Sequence, residues 1–395
     1  MLTLEEKRQI FDQKIQEINT IENKNIGERF KFTGTSNEDF IKALLKHAQS
    51  MIALHKNREN DTRDYHIELL TKNTIGGTSF IEQGIGFIGI YIGTPFILRA
   101  MFERILADPE TLTHIGDISL EKKCTTCIPK LPEQIEEPLK WERPYRYPNC
   151  QIRLNYAWIL LDSAFLYIAA HEMAHLSNGH HEWINELKMN KKERSDPYDI
   201  PKKPTSSLTW QTLEMDADCG AVRRCTNDFL MTEQVKKSFF NNLHGAQLAA
   251  NKHAFNDEDS SIFHFLFAIH TLFRIYDKNV WLIEGLQQRY YPPAQIRESW
   301  ISNVIAEHMK LHSQKKPEQD LHIHVGNINA KAAIEAITSC SRLLGTEPIL
   351  DGIRGACHES SHAHLRTLLK HWSKIRPYLE PYNTGGKLAP EQNLD

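Results

Sequence analysis

The most constraining feature of this chain is a His-Glu-x-x-His motif at the end of a long apolar segment. The motif runs from His171 through Glu172 to His175, and the residues between 158 and 170 are mostly apolar, which predicts a buried helix. Residues four apart lie on one face of a helix, so the two histidines can bind one Zn²⁺. Glu172 then lies beside the metal, where it can take a proton from a water that the metal holds. The motif therefore predicts a zinc site on a buried helix.

The same pattern occurs a second time, at His358-Glu359-Ser360-Ser361-His362. Two serines occupy its centre, and the residues before it are less apolar than those before the first copy. With 20 histidines among 395 residues, a chance copy of so short a motif has a probability that is not negligible. We interpret the second copy as a coincidence.

A third metal ligand is predicted from a later segment. Glu214 follows His175 by 39 residues and precedes Asp218 by four on a second predicted helix. Glu214 can complete a His₂Glu site with one position open for water, and Asp218 can accept the free ring N–H of a zinc ligand and fix its tautomer. His181 is the alternative third ligand, because metzincins place a histidine six residues after the second one. Metzincins also need glycine where Asn178 stands, so we favour Glu214.

Together these motifs resemble a known family. HExxH followed by Glu-x-x-Ala-Asp, here Glu214 to Asp218, resembles the gluzincin metallopeptidases, and especially the group of HtpX and CAAX-processing proteases. A third match is Tyr291-Pro292-Pro293-Ala294-Gln295-Ile296-Arg297, where that group carries His-Pro-Pro-x-x-x-Arg and Tyr291 stands in place of the histidine. The resemblance covers about residues 155 to 300. The HExxH motif is also similar to that of the soluble Lit-type phage-exclusion peptidases of bacteria.

The resemblance implies a zinc metalloendopeptidase, a hydrolase with one Zn²⁺ per chain that cuts peptide bonds of a protein substrate. We expect it to be soluble, unlike the membrane-embedded members of that group, because the sequence has no segment fit to span a membrane. Its metal ligands would be His171, His175 and Glu214, with Glu172 as the general base. The oxyanion formed during cleavage needs a second donor, for which Tyr291 is the first candidate and Tyr290 the second. The Lit-type resemblance implies a role in antiviral defence against phages. The alternative is a catalytically inactive metallopeptidase-like module with a binding or sensory role.

Composition limits the partners of the chain. The 47 basic and 50 acidic residues nearly cancel, which argues against a nucleic-acid partner and against a basic membrane-surface protein. The charged N-terminus does not have the form of a signal peptide, and the longest apolar run, Gly84–Leu98, is too short to span a membrane. We therefore expect a cytoplasmic protein without a membrane partner. A cytoplasmic peptidase needs restraint, so a regulatory protein or activator is a possible partner.

The seven cysteines are an odd number, which suggests reduced thiols. The Cys-x-x-Cys pair at Cys124 and Cys127 is a weak metal signal, since a structural zinc needs two further ligands. A surface loop with two thiols is the preferred interpretation.

The predicted fold class is α+β and mostly helical, with a gluzincin-like core that contains a small sheet. The expected parts are an N-terminal helical cap over residues 1–60, the zinc metallopeptidase core over 61–315 and a mainly helical C-terminal region over 316–395. Strands are expected at 66–70, 86–92, 151–156 and 322–325, and a frayed end at 383–395. The glycine-rich strand at 86–92 is a candidate for binding the substrate backbone by strand addition.

Two further pairs of residues are assigned to the surface. His180 and His181 follow the helix stop Asn178-Gly179, so the end of the helix is the preferred place for them. Arg223 and Arg224 lie beyond the third ligand on the same predicted helix and are expected to be solvated.

Overall fold

The computed structural model describes residues 2–21, 24–34, 38–123, 127–128, 130–131, 145–190, 207–276, 289, 291–312, 318–348, 350, 355 and 358–391. Helices dominate this part of the chain, and the strands form one small sheet, which confirms the expected mostly helical α+β class. The elements are α1 (Leu4–Ile21), α2 (Glu38–Arg58), β1 (Asp64–Leu70), β2 (Gly77–Glu82), β3 (Ile85–Tyr91), α3 (Gly93–Leu106), α4 (Gln151–Ser177), α5 (His180–Asn190), α6 (Ser207–Phe229), α7 (Glu233–Asn241), α8 (Gly245–Phe255), α9 (Glu258–Tyr276), α10 (Ala294–His312), α11 (Glu318–Leu344) and α12 (Glu359–Leu379).

The sheet has three strands in the order β1-β3-β2. β3 runs parallel to β1 and antiparallel to β2, so both of its edges are paired. The hairpin between β2 and β3 turns at Gln83 and Gly84, which both have positive φ, as expected for a two-residue connection. One face of the sheet is covered by α1, whose Phe11 contacts Phe80 and Phe87 at ring distances of 5.5 and 5.8 Å. The sequence predicted β1 and β3 but missed β2.

Helix α4 is the element around which the other helices pack. It contacts α3, α6, α8 and α9, and most of its apolar residues are buried. Near its first turn the buried Arg153 donates five hydrogen bonds of 2.7–3.1 Å to backbone carbonyls between residues 106 and 115. The strand expected at 151–156 is wrong, because these residues form the first turns of α4 and Arg153 satisfies buried carbonyls from there.

The C-terminal segment folds back onto the end of α4. The helix ends at Ser177, and Asn178 and Gly179 (φ +79°) follow as the predicted helix stop. The backbone N–H groups of Thr384 and Gly386 donate to the Ser177 carbonyl at 3.0 and 3.4 Å. The frayed end expected from residue 383 onward is therefore wrong for 383–391, since this segment is held by hydrogen bonds.

Helix α6 crosses α4 at very close range. A Cβ atom on Gly220 would lie only 2.7 Å from the Cβ of Ala174, so glycine is required at this contact. Ala174 lies inside the HExxH motif, and Gly220 follows Glu214 and Asp218 on α6. The close approach of the two helices therefore brings the two predicted metal motifs together.

The C-terminal helices pack on this core. Helix α11 packs against α9 and α10, and α12 packs against α6. The strand expected at 322–325 is wrong, because Leu321, Val325, Ile328 and Ala332 are buried at spacings of three and four residues, which is the period of a helix. None of the helices in the described ranges combines the length and the apolar composition that crossing a membrane requires.

Candidate metal centre

Three side chains bring their donor atoms to one point between α4 and α6. His171 Nε2 lies 3.1 Å from His175 Nε2 and 3.2 Å from Glu214 Oε2, and His175 Nε2 lies 3.5 Å from Glu214 Oε1. In a tetrahedral site with ligands at about 2.0–2.1 Å from the ion, donor atoms are separated by about 3.3 Å. The three residues therefore fit a zinc-sized ion, and they form a buried group that can hold a metal.

The electrostatics of this group favour a cation. His171 and His175 are 8% exposed and Glu214 is 7% exposed, so their charges are poorly screened by water. Burial lowers the pKa of His171, but the carboxylates of Asp218 and Glu214 outweigh burial and raise it to about 10. Burial raises the pKa of Glu214, but the two imidazoles outweigh burial and hold it well below its usual value. The carboxylates thus stabilise positive charge on His171, and the imidazoles stabilise negative charge on Glu214. A bound divalent cation would stabilise the Glu214 carboxylate in the same way.

His171 is oriented by a carboxylate on α6. Its Nδ1 lies 2.9 Å from Oδ1 of Asp218, which is the arrangement expected for a metal-binding imidazole. Arg297 donates two hydrogen bonds of 2.7 Å to Asp218, and Tyr167 donates a third of 2.6 Å. Burial raises the pKa of Asp218, but the Arg297 and His171 charges lower it overall to about 2. Asp218 therefore stays ionised beside Nδ1 of His171, and Nε2 is the nitrogen that faces His175 and Glu214.

His175 is oriented by a second and separate set of residues. Its Nδ1 lies 2.9 Å from Nδ1 of His180, and Nε2 of His180 lies 2.9 Å from Oδ2 of Asp216. His180 and Asp216 are 2% and 1% exposed. The surface position expected for His180 is wrong, because this residue is buried between the metal site and α6. Sequence reasoning gave no role to His180 or Asp216.

Glu172 is oriented by the sheet. Ser79 on β2 donates a hydrogen bond of 2.7 Å to Oε2 of Glu172, and its Oγ lies 3.0 Å from Nε2 of His181. The backbone of β2 approaches closely, since a Cβ on Gly77 would lie 3.3 Å from Oε1 of Glu172. Sequence reasoning missed Ser79 because it missed β2. His181, the alternative third ligand, contacts Ser79 instead and is not one of the three converging donors.

Three tyrosines lie near enough to Glu172 for its charge to raise their pKa. Tyr291 is 61% exposed, and the charge of Glu214, which is the largest cause, together with that of Glu172 raises its pKa to about 12. Burial and then the charge of Glu172 raise the pKa of Tyr91, and the charge of Glu172 also acts to raise that of Tyr276, which is 44% exposed. Tyr91 and Tyr276 were not expected from the sequence. Tyr290, the second oxyanion candidate, lies outside the described residues.

The remaining sequence signals lie elsewhere. His358 is the N-cap of α12 and accepts a hydrogen bond from the Ser360 N–H, so the second HExxH copy begins a helix. Cys127 is a free, exposed thiol, whereas Cys124 lies outside the described residues. The solvated position expected for Arg224 is wrong, because this residue is 1% exposed and donates to Glu59 at 2.6 Å and to the Ser177 hydroxyl at 2.9 Å.

A cavity of about 460 Å³ lies on the opposite face of α4 and contains none of the three donors. It is lined by apolar residues such as Trp158 and Phe265, with Asp162 at its wall. Asp162 and His171 are nine residues apart, half a turn out of phase on a helix. The cavity is therefore separate from the three converging donor atoms.

Comparison with known proteins gives no match: no family model, no curated protein and no solved structure matches the chain.

Proposed function

We propose that the protein is a zinc-dependent endopeptidase of the gluzincin type, which hydrolyses peptide bonds of a protein substrate. The observation that carries the proposal is the convergence of His171, His175 and Glu214 on one point, with Glu172 beside them. Two imidazoles and one carboxylate are the ligand set of hydrolytic zinc sites with one open position. A zinc ion held there would polarise a carbonyl oxygen and lower the pKa of water.

Glu172 is the general base in this proposal. Ser79 occupies Oε2 of Glu172, and none of the described residues hydrogen-bonds to Oε1. A proton removed from water can therefore be held at Oε1 and passed on to the leaving amine. Ser79 fixes the carboxylate in the orientation that this transfer needs, because its hydroxyl donates to Oε2.

Tyr291 is the proposed donor to the oxyanion. It is exposed, and it lies near enough to Glu214 and Glu172 for their charges to raise its pKa. The phenol is protonated at neutral pH, so it can donate a hydrogen bond to developing negative charge. Tyr276 and Tyr91 line the same side and are the alternatives within the described residues.

The outer edge of β2 is the proposed site for the substrate backbone. β3, the strand first considered for this role, is excluded because both of its edges are paired. β2 pairs only with β3 among the described strands, and it passes Glu172 at Gly77 and Ser79. An extended peptide that pairs with β2 would pass beside the metal centre.

The cellular role follows from the resemblance alone. A cytoplasmic peptidase similar to the Lit-type proteins would cut a protein during phage infection and would need a regulatory protein or activator. The competing proposal is a non-catalytic binding or sensory module that keeps the metal site. The presence of Glu172, with Ser79 holding it, favours the enzyme, since a binding module does not need an oriented base.

The decisive experiment compares the wild type with Glu172→Gln, because glutamine keeps the shape but cannot take the proton. Both proteins are loaded with zinc and incubated with a panel of unfolded proteins and peptides, and new N-termini are detected by mass spectrometry. We expect cleavage by the wild type only, with equal zinc content in both. Equal cleavage by both proteins would exclude the mechanism, and zinc in both without cleavage by either would favour the binding module.

A further inference from the structure

We propose that the C-terminal segment 383–391 is a positioning element of the metal centre, which holds the imidazole of His175 through Asp216 and His180. The inference rests on the metal centre of the proposed function but not on peptide cleavage. It assigns a role in metal affinity to a part of the chain that lies more than 200 residues after the metal ligand it supports.

The hydrogen bonds between His175 and Asp216 allow one arrangement of protons. The carboxylate of Asp216 only accepts, so Nε2 of His180 must carry a proton to donate across 2.9 Å. Nδ1 of the neutral His180 is then an acceptor, and Nδ1 of His175 must donate to it across 2.9 Å. This fixes His175 in the tautomer whose Nε2 lone pair points at His171 and Glu214. The arrangement therefore prepares His175 for a metal ion.

The orientation of Asp216 depends on the C-terminal segment. Its Oδ1 accepts a hydrogen bond of 2.6 Å from the backbone N–H of Ala389, and its Oδ2 accepts from Asn178 and His180. Without the Ala389 N–H, nothing among the described residues holds Oδ1, and only the contacts of Asn178 and His180 with Oδ2 orient the carboxylate.

Ala389 is itself held firmly. Its carbonyl accepts hydrogen bonds from Trp372 Nε1 at 3.1 Å and from Arg376 Nε at 3.2 Å, both on α12, and the residue is 2% exposed. Upstream, Gly386 passes so close to the end of α4 that a Cβ would overlap the Asn178 side chain. The segment thus connects α12 to the end of the helix that carries His175.

The role of the C-terminal segment can be tested at the backbone N–H of Ala389. Ala389→Pro removes the N–H that donates to Asp216, and Ala389→Gly keeps it, so the pair separates the hydrogen bond from the loss of the methyl group. Zinc affinity is measured by competition with a chromophoric chelator, and the visible spectrum of the Co²⁺-loaded protein reports the geometry around the ion. Circular dichroism shows whether each variant is folded.

We expect zinc binding about 10–100-fold weaker in Ala389→Pro, with an altered Co²⁺ spectrum, and values near the wild type in Ala389→Gly. Wild-type affinity and spectrum in a folded Ala389→Pro protein would overturn the inference while leaving the metal centre intact. If that variant does not fold, Trp372→Phe, which removes one of the two donors that hold the Ala389 carbonyl, is measured in the full chain with the same two outcomes. A wild type that binds no zinc would contradict the metal centre itself and the proposed function with it.

Discussion

Each side chain of the candidate metal centre is oriented by a different neighbour. Asp218 holds His171, the pair His180 and Asp216 holds His175, and Ser79 holds Glu172. The ligands and Asp218 could be found from sequence, because a spacing of four residues on a helix reveals their common face. Ser79 could not, since it is 93 residues from Glu172 and only the packing of β2 on α4 brings the two together.

Ser79 provides a test at the residue scale. Ser79→Ala removes the hydroxyl that orients Glu172 but no metal donor, so we expect unchanged zinc content. We also expect kcat to fall about 10-fold at similar KM, because this loss is a modest part of the rate enhancement that general base catalysis contributes. Ser79→Thr keeps a hydroxyl and is the matched control, which should retain most of the activity. Steady-state kinetics on a cleaved peptide measures kcat and KM for each variant. A Ser79→Ala enzyme with the kcat of the wild type would show that Ser79 has no role in the mechanism.

At the scale of elements, the contact between α4 and α6 positions the site. His171 and His175 lie on one helix and Glu214 on the other, so the distances between donors depend on how closely the helices approach. Long helices with regular apolar spacing were predictable, whereas the strands were predicted less well: β1 and β3 were expected and β2 was missed. The strands expected at 151–156 and 322–325 are helical, because a few apolar residues fit either period and the long-range packing decides.

Gly220 tests the importance of this helix contact. Gly220→Ala places a Cβ 2.7 Å from that of Ala174, so the helices must separate, and we expect a loss of roughly 1–3 kcal/mol in unfolding free energy with weaker zinc binding. Gly326 on α11 has no atom within 4 Å of the added position, and Gly326→Ala should stabilise by about 0.5–1 kcal/mol. Denaturant titration of both variants measures the difference. A Gly220→Ala protein as stable as Gly326→Ala would show that the close approach is not needed.

At the scale of the whole molecule, one apolar core includes helices from early and late parts of the chain. One cluster of buried apolar residues includes Ile41 of α2, Phe165 of α4, Phe267 of α9, Val325 of α11 and Leu368 of α12. The class of fold and the group of His171, His175 and Glu214 could be predicted from local patterns. The return of the C-terminal segment to the metal centre could not, because Ala389 contributes only a backbone N–H, which no side-chain pattern reveals.

The metal content of the whole chain tests the central claim most directly. Elemental analysis after purification with zinc present is made on the wild type, on Glu214→Ala and on Glu17→Ala, which removes an exposed carboxylate on α1. We expect about one zinc per chain in the wild type and in Glu17→Ala, and much less in Glu214→Ala. Zinc that is unchanged in Glu214→Ala, or absent from the wild type, would contradict the His₂Glu centre.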